Sequence, residues 1–77
     1  MIEIEITKEW GYLKRVALQI QKELESSSIV RLLPMMDTYE SITLVKRLQE
    51  RLKYGYRFSR EFFNNGHQCI LYVTKEN

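Results

Sequence analysis

Six basic side chains, Lys46, Arg47, Arg51, Lys53, Arg57 and Arg60, fall within residues 46–60 beside a single acid, Glu50, with Tyr54, Tyr56 and Phe58 interleaved. The formal net charge of the chain is +2, so this stretch carries +5 and the remainder −3. Clustered cations suit the phosphates of a polyanion, because each neutralised phosphate releases a condensed counterion. Aromatic rings beside them can stack on unpaired bases. On a helix, Lys46 and Lys53 stand seven apart and Arg47 and Arg51 four apart, so each pair shares a face. Lys46, Arg47, Arg51, Lys53 and Arg57 are therefore expected to contact phosphates, with Tyr72 as a stacking ring.

Other chemistry is thinly supplied. One histidine and one cysteine cannot fill a tetrahedral zinc site, and one cysteine cannot form a disulfide within the chain. His67 falls in a turn that faces water, and Cys69 alternates into a core face, where a thiol behaves as a small hydrophobe. Gly11, Gly55 and Gly66 lie singly, so no glycine-rich loop cradles a phosphate. No catalytic residue, metal or small-molecule cofactor is expected, which leaves a binding module. Besides nucleic acid, the other reading is a protein partner or a second copy of the chain, meeting Phe63, Ile70 and Tyr72 as an apolar patch on an open sheet face, or adding a strand at a sheet edge.

The elements that must position these residues are legible from periodicity. Ile2, Ile4 and Ile6 alternate with Glu3, Glu5 and Thr7, the mark of a strand with one wet face. Trp10, Leu13, Val16, Ala17, Ile20 and Leu24 make one helical stripe in a helix that starts between Thr7 and Tyr12 and runs to about Glu25. Trp10 is expected to cover the end of the core. The run "IVRLL" has strand length and inner-strand hydrophobicity, with Pro34 as its end and Met35-Met36 as a lead-in to a second helix. Asp37, three before Glu40, caps that helix, with Ser41 as an alternative cap. Its stripe is Ile42, Val45, Leu48 and Leu52, with Leu44 at the margin and Gly55 at the end.

Asn65-Gly66 between two strand-like runs favours a tight hairpin turn, and pairing Asn64 with His67 fixes the register. Phe63 then opposes Gln68, Phe62 opposes Cys69, Arg60 opposes Leu71, Phe58 opposes Val73 and Arg57 opposes Thr74. One face gathers Phe58, Phe62, Cys69, Leu71 and Val73; the other shows Arg57, Ser59, Glu61, Phe63, Gln68, Ile70, Tyr72 and Thr74. Arg60 falls on the apolar face, which calls either for a guanidinium escaping at the sheet margin or for a bulge. The order is β-α-β-α-β-β: an α/β two-layer sandwich in which right-handed crossovers put both helices on one face of a four-stranded mixed sheet.

That order resembles the Alba-type chromatin proteins, the C-terminal domain of bacterial translation initiation factor three and the SirA-like sulfur carriers. The likeness is one of shape: the Cys-Pro of the sulfur carriers is missing, and Lys8 stands alone where Alba proteins pair lysines after the first strand.

At 77 residues, with 44% apolar and 12% aromatic composition, the chain is expected to form a single compact domain over residues 1–77. Its purely apolar runs fall far short of the roughly 20 residues that span a bilayer. No membrane association is expected, and a cytoplasmic location is.

Overall fold

A computed structural model describes residues 1–6 and 13–76. Its elements run β1 (Ile2–Glu5), α1 (Leu13–Glu23), β2 (Ile29–Asp37), α2 (Thr38–Leu52), β3 (Tyr56–Phe63) and β4 (Gln68–Lys75). The sheet order is β1-β2-β4-β3, with β1 parallel to β2 and β4 antiparallel to both its neighbours. The hairpin thus slots β4 between the two strands that α2 connects. Ile4, Val30, Leu32, Leu71 and Val73 of the sheet and Leu13, Val16, Ala17, Ile20, Leu44, Val45, Leu48 and Leu52 of the helices form one buried core. Both helices therefore cover the same face, and the expected two-layer order is the observed one. Trp10 and the expected helix start between Thr7 and Tyr12 lie outside the described residues.

The expected pairing of β3 with β4 holds residue for residue, from Arg57 with Thr74 to Phe63 with Gln68. Asn65 and Gly66 both take positive φ, 57° and 85°, and Asn64 joins them at 53°. The His67 N–H donates to the Asn64 carbonyl at 3.1 Å, closing the turn. His67 is exposed and Cys69 is fully buried.

Pro34 does not end β2. The strand continues to Asp37 through a cis Leu33–Pro34 bond, and its pairing with β4 shifts between Leu32 and Met36. Proline's missing amide hydrogen costs no bond to β4 there, because the ladder is already interrupted. Met36 lies in the strand opposite Cys69, packed against the core, so it is no lead-in to the helix. Asp37 does cap α2: its Oδ1 accepts from the N–H of Tyr39 at 2.8 Å and of Glu40 at 3.3 Å. The helix ends at Leu52, before Gly55, with Lys53 in the left-handed region (φ 64°) and its N–H on the Gln49 carbonyl.

The buried stripe of α2 is Ser41, Leu44, Val45, Leu48 and Leu52, while Ile42 is 54% exposed. Ser41 explains the rotation. Its hydroxyl accepts from Arg60 Nε at 2.9 Å and donates to the Thr38 carbonyl at 2.6 Å. Arg60 thus sits on the helical side of an unshifted β3, its polar head held by a buried serine, and no bulge is present in this hairpin. Thr38 also donates from its N–H to the His67 carbonyl and from its hydroxyl to the Gly66 carbonyl, fastening α2 to the hairpin tip.

Two residues of the hairpin exchange the environments expected of them. Phe62 points to the helical side but is 56% exposed, because in its row Cys69 of β4 is the last covered position before the edge strand. Ile70 points to the open side but is 5% exposed. It lies on an inner strand between Leu71, paired with Leu32, and Cys69, paired with Met36, so the bulged stretch of β2 stands beside it.

Candidate functional site

The basic residues divide between the two layers. Lys46, Arg47 and Arg51 are exposed on α2 and Lys53 at its C-terminal cap. They stand clear of the sheet because Leu44, Val45, Leu48 and Leu52 turn the opposite side of the helix into the core. Arg51 Nη1 donates to the Arg47 carbonyl one turn back at 3.1 Å, which draws the guanidinium along the helix. Lys53 gains its position from the left-handed cap, which turns the chain away from the helix axis.

Alongside α2 runs α1, and a cleft of about 350 Å³ opens between them, lined by Lys14, Ala17, Leu18 and Gln21 of α1 and by Glu50, Arg51 and Lys53. Three cations and one carboxylate thus border a floor that includes Leu18, which is 58% exposed. Together α1, α2 and Lys53 carry seven basic side chains and three acidic ones. Lys14 is the contribution that reasoning from the basic stretch misses. The signal was present in the sequence: Lys14, Leu18 and Gln21 follow i, i+4, i+7 spacing beside the buried stripe.

Arg57 and Tyr72 belong to the other layer. Strand alternation puts them on the open face, since Phe58, beside Arg57 in β3, and Leu71 and Val73, on either side of Tyr72 in β4, turn toward the helices. Arg57 Nη2 meets Glu76 Oε1 at 3.2 Å, with 71% of the arginine side chain exposed. Tyr72 is a member of a polar row across the sheet: Glu3 of β1 opposes Arg31 of β2, Arg31 opposes Tyr72 of β4, and Tyr72 opposes Ser59 of β3. Arg31 Nη1 lies 3.2 Å from Glu3 Oε2, and its guanidinium carbon lies 6.0 Å from the centre of the Tyr72 ring. The Tyr72 hydroxyl donates to Glu61 Oε1 at 2.7 Å. That bond, with some burial and the nearby Glu61 charge, raises the phenol above its ordinary pKa of 10.0, against the opposing pull of Arg31.

The ring is thus engaged at its hydroxyl and lies beside a guanidinium, on the layer opposite the basic residues of α2. The apolar patch expected on this face is smaller than the sequence suggests. Ile70 is buried, and Phe63 and Tyr72 are half-buried. Charged side chains share the face with them, Glu3, Glu5 and Glu61 with Arg31 and Arg57, and Glu76 beside Arg57, so acids outnumber bases here.

Among the described residues no group of three or more His, Cys, Asp or Glu side chains is arranged to hold a metal ion, and no helix is long and apolar enough to cross a membrane. Comparison of the chain with protein-family models, curated proteins and solved structures finds no match.

Proposed function

We propose that this chain is a small non-catalytic binding module that holds the phosphate backbone of a nucleic acid against the outer face of its helical layer. The observation that carries the reading is the cleft between α1 and α2, where Lys14 meets Arg51 and Lys53 from a distant part of the chain. Lys46 and Arg47 extend the basic surface toward the middle of α2. Cations drawn from two rigid helices hold fixed relative positions, which favours tracking a backbone over capturing isolated counterions. Arg57 and Tyr72, on the far side of the sheet, have no part in this contact.

Backbone binding of this kind carries little sequence information, so the module is expected to tolerate many sequences. The test is a fluorescence anisotropy titration with labelled single-stranded and duplex oligonucleotides at several salt concentrations. With about four phosphates neutralised, affinity should fall roughly fiftyfold for single strands and about 150-fold for duplex between about 50 and 200 mM salt. Binding that salt leaves unchanged, or no binding at the lowest salt, overturns the reading.

A further inference from the structure

We propose that β3 pairs with β3 of a second copy of this chain, joining two four-stranded sheets into one. The strand lies at the sheet edge, with β4 on one side only, and runs eight residues. The Glu76 N–H donates to the Gly55 carbonyl at 2.7 Å, which makes that a hydrogen-bonded pair of the β3–β4 ladder. In an antiparallel ladder such pairs alternate, so Arg57, Ser59 and Glu61 direct their main-chain groups to β4. Tyr56, Phe58, Arg60 and Phe62 then present theirs to the open edge, a ready template for another strand.

What singles out a second copy as the occupant is the charge pattern along this edge. On the open face β3 reads Arg57, Ser59, Glu61. Antiparallel pairing about a two-fold axis at Ser59 sets Arg57 of each copy opposite Glu61 of the other, giving two ion pairs from one strand sequence. On the helical side the same register sets Phe58 opposite Arg60, and Tyr56 opposite Phe62. Phe62, 56% exposed in the single chain, thereby gains an aromatic neighbour. Moving the axis to Arg57 or to Glu61 would oppose like charges, and moving it to Phe58 or Arg60 would set Arg57 opposite Ser59 or Phe63, so of these axes only the one at Ser59 gives the two ion pairs. The other sheet edge, β1, has the reverse character: pairing about Ile4 would set Glu3 against Glu5 twice.

The existing partners of these side chains do not block the contact. A carboxylate accepts several hydrogen bonds, so Glu61 can keep the Tyr72 hydroxyl and take a guanidinium from the second copy. Arg57, with five N–H donors, can likewise keep Glu76. Both copies would carry their helices on the same side, so the dimer presents two basic helical faces together. The pairing itself does not rest on the nucleic-acid reading.

The experiment is size-exclusion chromatography with light scattering over a concentration series up to about 1 mM, on the wild-type chain, Arg57→Glu, Glu61→Arg and the double exchange, with circular dichroism on each. The wild type should approach the mass of two 9.3 kDa chains as concentration rises. Each single reversal turns two attractions into two repulsions and should weaken dimerisation by about tenfold or more. The double exchange restores opposite charges in the same register and should bring the dimer back. A wild type that stays monomeric throughout overturns the proposal. So does a dimer that the single reversals leave intact, or a double exchange as weak as either single variant while its fold is retained.

Discussion

The helical layer and the open sheet face hold comparable kinds of residue, yet they use charge in different ways. On the open face, arginine, tyrosine and glutamate alternate across neighbouring strands, and Glu3, Arg31, Tyr72 and Glu61 are joined by an ion pair, a ring contact and a hydrogen bond. On α1, α2 and the caps of α2, Asp37 and Lys53, seven bases outnumber four acids, and two helices bring cations to one cleft. A sheet places opposite side chains within bonding reach and lets them neutralise one another. A pair of helices points its outer residues away, leaving a field for an external anion to answer.

The strongest test of this contrast is charge reversal on one face against truncation on the other. Arg51→Glu with Lys53→Glu should lower oligonucleotide affinity by about a hundredfold or more at low salt, since two phosphate contacts become repulsions. Tyr72→Ala should leave affinity unchanged in the same anisotropy assay. Equal losses from the two would erase the distinction between the faces.

A second prediction concerns which side of α2 is outside. Leu44→Ala should cost about 2–5 kcal/mol in denaturant unfolding, because Leu44 is 1% exposed. Ile42→Ala should cost well under half of that, since Ile42 stands 54% exposed beside the basic residues. Comparable costs would mean that α2 is rotated from the position described. Somewhat smaller is the effect of Ser41→Ala, which leaves the Arg60 Nε without its acceptor and should destabilise the chain by about 1–3 kcal/mol.

The smallest effect is a titration on the open face. The Tyr72 phenol has its folded pKa raised above the ordinary 10.0, with the Glu61 hydrogen bond as the leading cause. Its contribution to stability is therefore fully present below pH 10 and is lost as pH rises through the folded value, because the unfolded tyrosine ionises first. Tyrosinate absorbance should show a late-titrating component, assigned to Tyr72 by its loss in Tyr72→Phe, that moves down in Glu61→Ala.

The order of elements and the register of the β3–β4 hairpin were legible in the sequence because each rests on a local signal. Alternating isoleucines mark β1, and Asn65-Gly66 fixes every pair from Arg57 to Phe63. What escaped depends on residues far apart in sequence. Ser41 looks like a cap or a surface residue until Arg60, across the fold, supplies its partner. Pro34 looks like a strand end until the bulge against β4 accommodates it. Ile70 looks exposed until β4 is known to be an inner strand. The candidate site divides in the same way. Lys46, Arg47 and Arg51 share α2, with Lys53 at its cap, and read together, whereas Arg57 and Tyr72 lie across the sheet from them. The spacing of Lys14, Leu18 and Gln21 puts them on one side of α1, but only the packing of α1 against α2 joins that side to the cleft.

The most direct measurement is amide chemical-shift mapping of the isotopically labelled chain during titration with a single-stranded oligonucleotide at low salt. Shifts that concentrate on Lys14, Leu18 and Gln21 and on Lys46 through Lys53, leaving Arg31, Arg57 and Tyr72 in place, are the predicted result. Shifts centred on Arg57 and Tyr72, or none at all, would contradict the assignment of the helical face as the polyanion surface.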